Sequence, residues 1–157
     1  MNAHCINLEI QAGMTKSFNN LVLNYSGTLS LDGILLPGVE ERLTALAMSI
    51  RISVFTADTF GKAERQLAGL PVQVRIVSNG YEKLGYMRQL VPESVIAIGN
   101  GRNDVHMMAV AGLRIAVVGP AGAAIELLKV TEIVVTDIRH ALDLIANPLR
   151  VKATLCD

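Results

Sequence analysis

The chain has 157 residues, 51% of them apolar, which is enough for one domain with a buried core. Its 14 Lys and Arg residues balance 14 Asp and Glu residues, and no basic stripe stands out, so the composition excludes nucleic acid as an expected partner. The longest apolar stretch, residues 113–128, is broken by Arg114, Gly119, Pro120, Gly122 and Glu126, and the N-terminus lacks the basic-then-apolar layout of a signal peptide, which predicts a cytoplasmic protein with no membrane partner.

Ile6, Leu8 and Ile10 alternate with polar neighbours, as in a half-buried strand, and Gly13 precedes a second extended run over residues 16–23. This predicts an antiparallel hairpin on a sheet edge, feeding a central strand at 21–23. Residues 29–37 place Asp32-Gly33 between apolar residues, the usual composition of a tight hairpin turn, and read as a small flap over the sheet edge. Gly38 opens a helix whose apolar positions Val39, Leu43, Leu46, Ala47 and Ile50 recur at helical spacing. A strand follows at 52–55. Asp58 or Thr59 then caps a helix that runs through Ala63 and Leu67 to the stop at Gly69-Leu70-Pro71.

The next strand spans 72–77, and Asn79 caps a helix carrying Lys83. A buried strand at 95–98 enters the turn 99–104 and another helix. Strands at 114–118 and 132–135, with helices near 122–128 and 137–146, complete the pattern. Such alternation of buried strands and amphipathic helices predicts a single α/β domain over residues 1–157. Its core is a doubly wound, Rossmann-like parallel sheet with helices on both faces, strand 21–23 in the middle and flanking strands beginning near Ile52 and Val95. Cys5 and Cys156 share no ligand-like spacing with the histidines and read as reduced, inert thiols. His106 carries no assigned role, and Met107 and Met108 read as core.

Ligands of open α/β sheets sit outside the carboxyl ends of the strands, where loops and helix N-termini gather. Asn24 ends the central strand there. Thr56-Ala57-Asp58-Thr59 offers a hydroxyl and helix-terminal amides suited to an anion, and Lys83 is a point charge suited to phosphate. The turn Gly99-Asn100-Gly101-Arg102-Asn103-Asp104 is glycine-rich between strand and helix, but Asp104 stands where a dinucleotide fingerprint needs a small residue. An acid at that point suits a metal instead.

Taken in order, Asn24-Tyr25-Ser26-Gly27-Thr28, Thr56-Ala57-Asp58, Lys83 and Gly99-Asn100-Gly101-Arg102-Asn103-Asp104 resemble the motifs of the haloacid dehalogenase superfamily of phosphatases and phosphotransferases. The resemblance covers nearly the whole chain, and it is the four ordered matches together that make it specific. The phosphorylation domain of P-type ATPases and its small soluble relatives resemble it most, with their Asp-Lys-Thr-Gly-Thr, Thr-Gly-Asp and Gly-Asp-Gly-x-Asn-Asp patterns. The resemblance implies a capless domain with Asn24, Ser26, Thr56 and Lys83 at the catalytic positions. It further implies phosphate contacts from Gly27, Thr56, Ala57 and Lys83, and a magnesium position formed by Asn24, the Ser26 carbonyl, Asn100 and Asp104.

Two departures decide the functional expectation. Asn24 stands where the family has its nucleophilic aspartate, and Asn100 stands where it has the first metal-binding aspartate of the last motif. A carboxamide oxygen is a poor nucleophile, and loss of a covalent nucleophile costs on the order of a millionfold in rate. Each unit of negative charge removed about 4 Å from a magnesium ion forfeits roughly 4 kcal/mol per unit of metal charge. Ser26, where the family's hydrolases carry an acid–base aspartate, cannot readily protonate a leaving group near neutral pH. The expectation is a catalytically impaired phosphate- or metal-binding regulatory domain that holds magnesium weakly and takes a small phosphorylated ligand. Two alternatives stand beside it: a weak magnesium-dependent phosphatase or phosphotransferase, with Asp58 or metal-bound water supplying the oxygen, and an enzyme carrying engineered Asp-to-Asn changes. The amphipathic strand 6–10 and the apolar flap (Leu29, Leu31, Ile34, Leu35, Leu36) predict a homo-oligomer.

Overall fold

Six parallel strands form the centre of the molecule, whose computed structural model describes residues 4–58 and 61–157. The chain begins with a hairpin, β1 (Ile6–Gln11) and β2 (Met14–Phe18), and then enters β3 (Asn20–Asn24). The flap is β4 (Ser30–Leu31) and β5 (Ile34–Leu35). There follow α1 (Val39–Leu46), β6 (Arg51–Thr56), α2 (Lys62–Leu67), β7 (Gln73–Ile76), α3 (Gly80–Gln89) and β8 (Val95–Gly99). The last part comprises α4 (Val105–Val110), β9 (Leu113–Val117), α5 (Ile125–Leu128), β10 (Ile133–Val135), α6 (Ile138–Ala146) and α7 (Pro148–Leu155).

The sheet order is β10-β9-β8-β3-β6-β7. Strand β3 is therefore central, paired in parallel with β6 on one side and β8 on the other, as its unbroken apolar run predicts. Leu21 and Leu23 face a core shared with α1, α2 and α6, while Val22 faces the opposite core with Met87, Met107, Met108 and Leu127 of α3, α4 and α5. All three side chains are sealed from solvent, and each such burial contributes about 1.5–3 kcal/mol. The chain leaves β3 toward β6 and returns on the other side as β8, so the crevice between the carboxyl ends of β3 and β8 is a topological switch point.

Local chemistry explains several element ends. Asn79 accepts from the amides of Tyr81 and Glu82 at the start of α3, and Asp137 accepts from the Arg139 amide at the start of α6. Asp32 and Gly33 both have positive φ, 52° and 81°, as a two-residue turn matched to strand twist requires. Asp58 does cap α2: its two oxygens accept from the Ala63 and Glu64 amides at 2.7 and 3.1 Å. Thr59, the alternative cap, lies outside the described residues.

Several expectations need correction. The extended run 16–23 is broken at Asn19, and the hairpin forms its own two-stranded sheet instead of joining an edge of the large one. Its apolar side is covered from within the chain by α7, an element absent from the sequence reading, with Leu8 and Val151 both buried. Pro148 breaks α6 but occupies the first turn of α7, where its missing N–H costs nothing. Helix α1 ends at Leu46, four residues short of Ile50, and α5 is a single turn beginning at Ile125.

Candidate functional site

At the switch point an open cleft of about 460 Å³ is lined by Asn24, Ser26, Ala57, Val77, Ser78, Lys83, Asn100, Gly101, Arg102 and Asn103. These residues arrive from the ends of β3, β6, β7 and β8 and the first turn of α3, so residues far apart in sequence converge as the motif order implied. Gly27, Thr56 and Asp104 are outside this lining. Buried Thr56 closes β6, where its hydroxyl accepts from the Asp58 amide at 3.2 Å.

Lys83 organises the polar network. Its ammonium donates to Asn24 Oδ1 (3.1 Å), Asn103 Oδ1 (3.2 Å) and Asp104 Oδ1 (2.7 Å), which matches the three donors it possesses. Its side chain is 3% exposed and that of Asp104 0%. The other carboxylate oxygen of Asp104 accepts from the amides of Asn100 and Gly101 at 3.2 and 3.0 Å. Asp104 thus lies behind Lys83 and fixes the loop that presents Asn100. Gly99 is required beneath it, because a Cβ there would come within 2.5 Å of Asp104 Oδ2.

Lysine cannot accept a hydrogen bond, so its contact dictates how the Asn24 amide is turned, with Oδ1 toward Lys83 and Nδ2 toward the opposite wall. Nδ2 then donates to the Ser26 carbonyl (2.7 Å) and to Asn100 Oδ1 (3.0 Å). Asn100 Oδ1 also accepts from the Thr28 hydroxyl at 3.0 Å, and Asn100 Nδ2 donates to the Gly122 carbonyl at 3.2 Å. Gly27, at φ 80°, packs its α-carbon so closely that a Cβ would fall 2.5 Å from Asn100 Nδ2.

Sequence reasoning overlooked Thr28, Asn103, Arg102, Ser78 and Gly122. Thr28 was visible inside the first motif, but only its full burial and its bond to Asn100 give it a task. Arg102, 78% exposed, stands at the cleft mouth in an ion pair with Glu126 at 3.1 Å. The flap is pinned beside the cleft: Tyr25 Oη donates to the Gly33 carbonyl at 2.8 Å, Lys62 to the Asp32 carbonyl at 2.9 Å, and the Leu35 amide to Gln66 at 3.1 Å. Burial pushes the Tyr25 phenol above its ordinary range.

Residues 75–137, which hold Lys83 and the loop bearing Asn100 and Asp104, match the family model of haloacid dehalogenase-like hydrolases. That match takes in the second half of the site. The chain is 43% identical over 79 residues to an uncharacterized protein of Methanocaldococcus jannaschii, an alignment covering 48% of this chain and 85% of that protein. Its fold is that of the cobalt-bound deoxy-D-mannose-octulosonate 8-phosphate phosphatase from Haemophilus influenzae, at TM-score 0.70 and 16% identity over 87% of this chain and 89% of the other. The Moraxella catarrhalis 3-deoxy-D-manno-octulosonate 8-phosphate phosphatase, solved with magnesium and phosphate ions, gives TM-score 0.65 at 18% identity, covering 87% and 92% of the two chains. At these identities the likeness shows the fold.

As arranged, the residues expected to hold magnesium do not fit a divalent cation. Among the described residues no group of three or more His, Cys, Asp or Glu side chains could hold one. Both lone-pair directions of Asn100 Oδ1 are taken by donors, and the Ser26 carbonyl faces the Asn24 amide nitrogen. Among the described residues no helix is long and apolar enough to cross a membrane.

Proposed function

We propose that the cleft receives a small phosphorylated ligand and that the domain binds it without turning it over, acting as a receptor or regulatory protein. The observation that carries this reading is the amide at residue 24, at the carboxyl end of the central strand and held by Lys83. Its oxygen is neutral and accepts a hydrogen bond from the Lys83 ammonium, so it lacks the charge and the nucleophilicity of an attacking carboxylate. Among the described residues the cleft lining contains Lys83 and Arg102 and no carboxylate, a charge pattern suited to an anion. The two phosphatases of the same fold are named for a phosphorylated sugar acid, which supports a phosphorylated small molecule as the ligand class.

Two finer features belong to the same reading. The first motif, with Ser26 and Thr28 around Gly27, follows the phosphorylation domain of P-type ATPases. Only the flap separates β3 from α1, and α2 with β7 separates β6 from α3, so we read the domain as capless.

Residual magnesium-dependent phosphatase or phosphotransferase activity is the second reading, favoured by the ordered retention of Thr56, Lys83 and Asp104. Phosphate release from an aryl phosphate in the presence of magnesium distinguishes the two. The receptor reading expects a rate no greater than that of an Asp104→Asn variant, together with saturable binding of inorganic phosphate. A rate clearly above that variant would establish the enzyme.

A further inference from the structure

We propose that the Asn24 carboxamide takes the place of a divalent cation in this cleft, so that the chain binds inorganic phosphate and its esters without metal. The proposal rests on the reading of the cleft as a phosphate receptor and says how that receptor is built.

The Asn24 amide nitrogen sits 2.7 Å from the Ser26 carbonyl and 3.0 Å from Asn100 Oδ1, with its two hydrogens available for those two oxygens. An Asn24→Asp change would set an oxygen in that place with no hydrogen between the three. Oxygens so close repel one another unless a proton or a cation lies among them. The carboxylate version of this cluster therefore demands a positive centre, and the amide version supplies one as N–H dipoles. Thr28 completes the replacement by donating to Asn100 Oδ1 from a fully buried position.

Nothing in the cluster is left unsatisfied: among the described residues, no buried side-chain nitrogen or oxygen lacks a hydrogen-bond partner. A cation entering here would have to break the two Asn24 donations and the Thr28 donation, and it would meet neutral oxygens in return. The anion's charge is met instead by groups already present. Among the described residues Arg102 is held only by an exposed pair with Glu126, of the kind that contributes little and that an anion can displace. Lys83 can release Asn103, whose side chain is on the solvent side, while keeping Asp104 and Asn24.

The experiment uses the wild-type chain and an Asn24→Asp/Asn100→Asp variant, with magnesium alone and inorganic phosphate as probes. Thermal melting reads the metal, and titration calorimetry reads phosphate in excess EDTA and again in magnesium. For the wild type we expect no change in melting temperature with magnesium, and a phosphate Kd that agrees within about twofold between the two conditions. For the variant we expect magnesium to raise the melting temperature and to tighten phosphate binding by at least about tenfold. Wild-type stabilisation by magnesium alone, or phosphate binding only when magnesium is present, overturns the inference and leaves the receptor reading standing. Phosphate binding under neither condition overturns both. The wild-type measurements decide the matter even if the variant does not fold.

Discussion

The Lys83 ammonium donates to Asp104 Oδ1 at 2.7 Å, with the two side chains 3% and 0% exposed. Two opposite charges removed from water hold each other, and removing one leaves the other buried and unpaired. Lys83→Met is expected to cost about 3–5 kcal/mol. Adding Asp104→Asn to it should cost less than the sum of the two single changes, because the amide does not need the ammonium. Urea unfolding of the four proteins gives the coupling; additive losses would show that the pair is not the energetic unit described here.

Gly99 and Gly85 are expected to respond to alanine in opposite directions. At Gly99 the added Cβ would press within 2.5 Å of Asp104 Oδ2, an oxygen held by two backbone amides, so Gly99→Ala should destabilise by about 1–3 kcal/mol. Gly85 lies in the interior of α3 with nothing within 4 Å of the new methyl, so Gly85→Ala should stabilise by about 0.5–1 kcal/mol. Chemical denaturation midpoints check both.

Tyr25 links pH to the flap. Burial raises its phenol above the ordinary tyrosine value of about 10, so in the folded chain it stays protonated where the unfolded chain would ionise. That stability is complete below pH 10 and is lost as pH rises toward the folded value. Tyr25→Phe should lower stability near neutral pH by about 1 kcal/mol, the hydrogen bond to the Gly33 carbonyl, and should flatten the alkaline decline. Equal alkaline slopes in the two proteins would remove Tyr25 as the cause.

Self-association is proposed through the flap. The apolar side of β1 is spent on α7 within the chain, with Leu8 fully buried, whereas Ile34 and Leu31 of the flap are 52% and 36% exposed. Light scattering after size exclusion should give a dimer or tetramer mass, reduced by Ile34→Lys. A monomer mass for the wild type would remove the proposal.

What the sequence determined by itself is the alternation of elements and the order of the motifs. The unbroken apolar run at Leu21, Val22 and Leu23, the helical spacing from Val39 to Leu46, and the caps Asp58 and Asn79 are all properties of a short window, where period and turn chemistry act directly. They were sufficient to put β3 at the centre of a parallel sheet and Asn24, Lys83 and Asn100 at one of its ends. The tertiary structure alone decided how those side chains meet. Pro148 stands just past the end of α6, yet it starts the helix that covers β1. Asp104 reads as a metal ligand, yet both of its oxygens are engaged by Lys83 and by the amides of Asn100 and Gly101. The partners of Asn24 at Asn100 and of Thr28 at the same oxygen are 76 and 72 residues away. Which way an amide turns is set by the donor it faces across the sheet, and that donor, Lys83, is brought there only by the crossover that carries the chain from one side of β3 to the other.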